Sequence, residues 1–325
     1  MTTPTPLALH LLKGALTSPT KRGPHTGARL PQDTLTLPPT APEPEHVRRY
    51  ARVCGHDPRA DTLPPAYPHV MAFPLATRLM ARRDFPFPLL GLVHTRIELT
   101  RQRPLARTDG IALSVHTEGL AAHRRGTTFD VVTRAVSDGE AVWHSRSTYL
   151  CRHSAPDTAP DGDTRPRDAP PAGAPGEGAQ PPGAGPRRST RPPDAEPLPA
   201  GETWSLPAGL GRRYAAASGD RNPIHLHALT ARAFGFPRAI AHGMWTFARC
   251  LAAHEAGSGG RADGIGFAEA DFKAPVLLPA RVVHAADPAT GAFELRGTGE
   301  RPRLHLTGRV SAGPGSRGET VTRSA

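Results

Sequence analysis

The 325-residue chain is poor in several things, and each shortage narrows its class. Its three cysteines, Cys54, Cys151 and Cys250, lie far apart and form no C-x-x-C pair, so neither a disulfide framework nor a cysteine-rich zinc site is encoded. They read as reduced thiols of a cytoplasmic protein. No apolar run approaches 18 residues, and no basic segment precedes the short apolar stretch near the N-terminus. Neither a membrane-spanning helix nor a secretory leader is expected. Lysine is nearly missing: Lys13, Lys21 and Lys273 are the only three, so arginine carries the excess of 40 basic over 29 acidic residues. A formal charge of +11 ordinarily points to nucleic acid, but that needs a basic stripe interleaved with aromatics. Aromatics are 5% of the chain and no such stripe exists, so no nucleic-acid partner is expected. A phosphate-bearing small ligand is compatible with the charge.

Proline (38) and glycine (33) are abundant, roughly a fifth of the residues together, which is more punctuation than one compact fold absorbs. They are unevenly spread. Residues 154–200 hold thirteen prolines and six glycines, no aromatic, and Leu198 as the only large aliphatic. Such a stretch cannot offset the entropy of ordering its backbone, so it reads as a disordered linker. Residues 1–28 and 311–325 read as disordered tails. What remains is two blocks, 29–153 and 201–310, each of single-domain size.

The blocks share an order of motifs. Block one runs HVRRYARVCG, PAYPHVMAFPLATRLM, TRQRPLARTDGIALSV, TTFDVVTRAV and AVWHSRSTYLC; block two runs LGRRYAAASG, AIAHGMWTFARCLAAHE, DFKAPVLLPARVVHA, GAFELRG and RLHLTGRVSA. Each predicts a short helix, a longer apolar helix, then alternating or β-branched strands. The helix from His242 to about Glu255 is apolar over most of its circumference and must be wrapped. An antiparallel sheet cradling one long helix, an α+β fold, follows from that order.

The chemistry concentrates in residues 214–244, YAAASGDRNPIHLHALTARAFGFPRAIAHGM. Ser218, Gly219, Asp220, Asn222, Pro223 and His225 fall within eight residues, where Gly and Pro force a tight turn. A carboxylate and an imidazole presented from that turn can address one water, the minimum for adding or eliminating it. Gly243 opens the buried helix, where free amides and the positive end of the helix dipole favour an oxyanion. An acid/base pair beside an oxyanion site suits proton abstraction α to a carbonyl.

The strings Y-A-A-A-S-G-D-R-N-P-I-H and A-F-G-F-P-R-A-I-A-H-G-M, with the later DFKAPVLLPA, resemble the signature of the MaoC-like, R-specific enoyl-CoA hydratase family, which has the hotdog fold. The resemblance covers most of block two. It implies that Asp220 and His225 are the catalytic dyad, that Gly243 supplies the oxyanion-hole amide, and that Asn222, Ser218 and His242 position the substrate or the dyad. Block one is similar to the degenerate N-terminal hotdog of actinobacterial double-hotdog 3-hydroxyacyl-thioester dehydratases, through PPAYPHVMAF and FPFPLLGLVHTRIEL. It carries no D-x-N-P-x-H string, and PHV stands in place of HGM, so it has no dyad of its own. Where some members place a serine behind the dyad, this chain has Leu251. The implied reaction is reversible hydration of a trans-2-enoyl thioester, carried on coenzyme A or an acyl carrier protein. No cofactor, no membrane partner, and a monomeric or homodimeric state are expected.

Each site residue also has a plainer role: Asp220 as a turn cap, His225 as an interior histidine, His242 as the helix-start partner of a carbonyl. Ser218 with His225 and Asp220 could form a nucleophilic triad, but three members within eight residues leave little room for that geometry. A zinc site from Asp220, His225, His227 and His242 would put His225 and His227 on opposite sides of an extended segment, and no metal is expected. The alternatives from other classes are a non-catalytic acyl-thioester binder and a hotdog thioesterase.

Overall fold

The computed structural model describes residues 27–153, 198–199, 201–257 and 264–312. The linker and tails expected at 1–28, 154–200 and 311–325 lie almost wholly outside the described residues.

Block one consists of β1 (Leu35–Thr40), α1 (Pro44–Cys54), α2 (Tyr67–Met80), β2 (Leu92–Arg101), β3 (Ile111–His123), β4 (Gly126–Ser137) and β5 (Glu140–Arg152). Block two consists of β6 (Thr203–Leu206), α3 (Leu210–Ser218), the short helices α4 (Pro223–Leu226) and α5 (Ala228–Ala233), α6 (Gly243–Gly257), β7 (Phe267–Phe272), β8 (Ala280–Asp287), β9 (Ala292–Gly297) and β10 (Leu304–Ser311). β1 and β6 carry no strong sequence signal: β1 contains Pro38 and Pro39, and β6 is four residues long. Both are edge strands, where missing ladder donors are tolerated.

Local sequence explains the elements. α1 buries Val47, Tyr50, Ala51 and Cys54, the i, i+3, i+4, i+7 face of an amphipathic helix. Glu43 caps it by accepting the Glu45 and His46 amides. In β3, Ile111, Leu113, Val115 and Thr117 are buried while the residues between them are less so, the period-2 pattern of a strand with one face on a core. α2 and α6 are apolar on most sides, and Leu79, Phe247, Ala248 and Leu251 are fully enclosed.

The ten strands of the described residues form one antiparallel sheet in the order β1-β3-β4-β5-β2-β7-β10-β9-β8-β6. Block two therefore repeats the strand order of block one in reverse, and the halves meet at β2 and β7. There Arg96–Thr100 pairs with Phe267–Asp271, and Glu98 lies opposite Glu269. Two facing carboxylates repel. Arg96 relieves this by donating to Glu98 (2.8 Å), Asp271 (2.9 Å) and Glu269, so a guanidinium from block one, with Lys273 on Asp271 and Arg309 on Glu269, offsets the negative charge of the joint. Further in, the Trp245 indole donates to the Val53 carbonyl at 2.8 Å, tying α6 to the end of α1.

Candidate active site

α3 ends at Gly219, whose φ of 78° is left-handed and whose N–H donates to the Ala215 carbonyl at 3.0 Å. This corner aims the next residues away from the helix. The Asp220 N–H donates to the Ser218 hydroxyl (3.2 Å), and the Asn222 N–H donates to Asp220 Oδ1 (3.1 Å). Asn222 Oδ1 then caps α4 by accepting the Ile224 N–H at 3.4 Å. Pro223, in the first turn of α4, gives up no needed donor. Ser218 and Asn222 thus hold the Asp220 turn, and Ser218 is buried at the end of a helix.

His225 lies within α4, not on an extended segment as the sequence spacing predicts; the Asn222 cap and Pro223 favour one helical turn over extension. Its Nδ1 is 2.9 Å from the Ile240 carbonyl. A carbonyl only accepts, so Nδ1 carries the proton and Nε2 keeps its lone pair. His242 does the same through its other nitrogen: Nε2 donates to the Asp220 carbonyl at 3.0 Å. The two imidazoles stack with centroids 3.7 Å apart at 26°. Donor atoms of Asp220, His225 and His242 all lie within 4.8 Å of one another. His227 is exposed and stands apart.

Burial sets the charge states. It pulls the His225 pKa below the usual imidazole value, opposed by the Asp220 charge and the bond to Ile240. Burial, with His225 beside it, pushes His242 well below that value. Both rings are neutral near pH 7. The Asp220 side chain keeps 27% of its surface accessible.

That trio does not suit a metal ion. A metal needs nitrogen lone pairs that converge at about 2.0–2.1 Å. Each lone pair lies in its ring plane, and two planes stacked 3.7 Å apart at 26° do not bring theirs together at that distance.

Gly243 begins α6, so its amide has no intrahelical acceptor. A Cβ there would sit 3.1 Å from the Phe272 ring, a contact tight enough that the ring would have to give by a few tenths of an ångström. The cavity between the blocks, about 360 Å³, is lined from block two by Ser218, Asp220, Asn222, His225, His242 and Gly243.

Block one supplies an opposite wall that sequence reasoning missed: His69, His94 and Tyr149. His94 stacks on Tyr149 (4.6 Å, 14°) and meets Phe272 at 4.9 Å. Burial drives His69 down to about 4, with the Asp220 charge working against it, and His94 down to about 3. His69 comes from α2, in the PHV string that stands in place of HGM, while His94 on β2 and its ladder partner Tyr149 on β5 face the cavity beside the β2·β7 joint.

The MaoC like domain profile matches residues 203–288, from β6 into β8. The chain is 36% identical over 267 residues to 3-hydroxyacyl-thioester dehydratase X of Mycobacterium tuberculosis, spanning 82% of this chain and 84% of that one. The crystal structure of HtdX from the same organism superposes with a TM-score of 0.65 at 30% identity, covering 86% of this chain and 100% of that chain. A MaoC-like dehydratase from Phytophthora capsici matches in fold, with a TM-score of 0.65 at 15% identity over 90% of this chain and 98% of that one. A double-hotdog protein of M. tuberculosis also matches in fold, at 0.50 and 16% over 90% and 98%. Paired halves on one continuous sheet, with a D-x-N-P-x-H turn in the second, place the chain in the MaoC-like dehydratase family, with its double-hotdog fold.

Proposed function

We propose that this protein is an (R)-specific 3-hydroxyacyl-thioester dehydratase, equally a trans-2-enoyl-thioester hydratase, acting in fatty-acid metabolism. One observation carries the reading: His225, neutral and held in a single tautomer by Ile240, keeps a free Nε2, and a ring nitrogen of His225 lies within 4.8 Å of an Asp220 carboxylate oxygen. A neutral imidazole beside a carboxylate can take one proton and return another.

In dehydration, the C2 proton passes to the dyad and the C2–H electron pair moves toward the thioester carbonyl. Negative charge then builds on the carbonyl oxygen, which the Gly243 amide and the N-terminus of α6 stabilise. The enolate pair then returns to form the C2=C3 double bond as the C3–O bond breaks, the leaving oxygen taking a proton from the dyad to depart as water. Hydration retraces these steps. Asp220 Oδ1 is engaged by the Asn222 amide, so Oδ2 is the oxygen available to the water. The thioester is presented by coenzyme A or an acyl carrier protein, both of which deliver the acyl group on a pantetheine arm.

Asp220→Asn and His225→Ala should each lower crotonyl-thioester hydration by about 100- to 10,000-fold, read as persistence of the enoyl absorbance, with unchanged circular dichroism. A thiol-trapping dye should stay silent with the wild type, which separates the reaction from thioester hydrolysis. Full activity in both variants would overturn the assignment.

A further inference from the structure

A second recess of about 220 Å³ adjoins the catalytic cavity, and the two share Pro275, Val276 and His305 as lining residues. Three arginines converge on it from separate places in the chain: Arg238 from the segment before α6, Arg281 from the start of β8, and Arg303 from the turn before β10. All three are exposed, and no carboxylate lines the recess among the described residues. Six other arginines, Arg48, Arg82, Arg96, Arg103, Arg146 and Arg296, each hold a carboxylate at 2.9 Å or less. Among the described residues Arg238, Arg281 and Arg303 have no ion pair. Arg238 makes one long contact to the Pro279 carbonyl at 3.5 Å.

Like charges gathered in a concave site favour an anion, and guanidinium groups match phosphate oxygens two at a time. The recess also lies beside the cavity that holds the dyad, so a ligand could occupy both. Its volume suits a nucleotide fragment. A carrier-protein surface would ordinarily need about 800 Å² of face per partner, well beyond a pocket of this kind. Resting on the dehydratase reading above, we propose that the Arg238/Arg281/Arg303 recess binds the phosphate-bearing nucleotide end of a coenzyme A thioester, and so selects that carrier.

The test compares wild type with the Arg238→Gln/Arg281→Gln/Arg303→Gln variant on crotonyl-CoA and on crotonyl-pantetheine, which lacks the nucleotide. Calorimetry with free coenzyme A reads the recess without turnover. The expected result is a loss of about 10- to 100-fold in kcat/KM for crotonyl-CoA, mostly in KM, and a parallel loss of coenzyme A affinity. Crotonyl-pantetheine should be turned over as before. Equal losses on both substrates, or no loss on crotonyl-CoA, would overturn the proposal. A loss confined to a crotonyl-acyl-carrier-protein substrate would also overturn it, by making the recess a protein-docking site. If the wild type turned over no thioester, the dehydratase reading would fail while calorimetry still decided the recess. If the triple variant misfolded, Arg303→Gln alone, with weakening of wild-type KM by salt, would decide between the same outcomes.

Discussion

The helix before the site reads Leu210-Gly211-Arg212-Arg213-Tyr214 in block two, and its counterpart in block one reads His46-Val47-Arg48-Arg49-Tyr50. Both helices end in a left-handed glycine, Gly55 at 83° and Gly219 at 78°, each with its N–H on the carbonyl four residues back. Identical corners then present different residues. After Gly55 comes His56, 2.7 Å from Glu255 at the end of α6, with 3% and 12% of the two side chains exposed. After Gly219 comes Asp220, partly open to the cavity. In block one the corner ties the halves together; in block two it aims chemistry at the space between them. The two corners share one backbone path, and the side chain after the glycine decides which use it has.

The sharpest break in that comparison is at Gly211. Val47 fills the matching position in block one and is fully buried, as a core helix residue should be. At Gly211 a Cβ would collide with the His225 carbonyl, so the helix can pack against α4 only through a glycine. Gly211→Ala should push α4 and the His225 ring out of place. A shift near 1 Å in a reacting group costs about 100-fold in rate, so kcat should fall by that order while KM changes less. Val47→Ala should lower stability by about 1–3 kcal/mol in urea unfolding and leave kcat per folded molecule intact. A Gly211→Ala enzyme with normal kcat would mean that α4 tolerates displacement.

Much of this is legible in the sequence, for physical reasons. An amphipathic helix closed by a left-handed glycine is a local pattern, so HVRRYARVCG and LGRRYAAASG match as strings alone. Asp220 and His225 are five residues apart across a turn, so their proximity is also local. The spacing of His225 to His227 suits extended chain, yet the Asn222 cap and Pro223 make a helical turn, because a cap and a first-turn proline outweigh a two-residue repeat. β1 and β6 leave almost no trace, because an edge strand needs little of the alternating pattern. His94 and Tyr149 are invisible in sequence because their strands reach the cavity beside the β2·β7 pairing, across some 170 residues of chain, and the PHV string around His69 gives no sign that its ring faces the dyad. The Arg96 cluster at the joint is non-local in the same way.

The clasp at the block-one corner gives a smaller effect of opposite character. His56→Ala leaves Glu255 with a buried carboxylate and no imidazole, which costs about 1–3 kcal/mol. Thermal unfolding should register that loss, and initial rates on any enoyl thioester should not change once corrected for folded enzyme. An altered kcat would mean that the corner of block one still communicates with the dyad, and that the division of labour between the blocks is incomplete.

The finest distinction concerns protons. His225 in block two and His69 in block one are both lowered by burial and both raised by the Asp220 charge. A histidine whose folded pKa is depressed contributes its full stability above the unfolded value near 6.5. The contribution is lost as pH falls from there through the folded value, at about 1.4 kcal/mol per unit of depression. For His69 that window runs from 6.5 down to about 4. Activity should follow the same sign, with the acid limb of kcat lying below pH 6.5 because protonated His225 is no longer a base. Asp220→Asn removes the one charge that raises both rings, so both should titrate lower in ring-proton NMR. A shift at His225 with none at His69 would mean that the two walls do not share one electrostatic field. Movement of both would show that block one, although it lacks a dyad, senses the charge state of the dyad it faces.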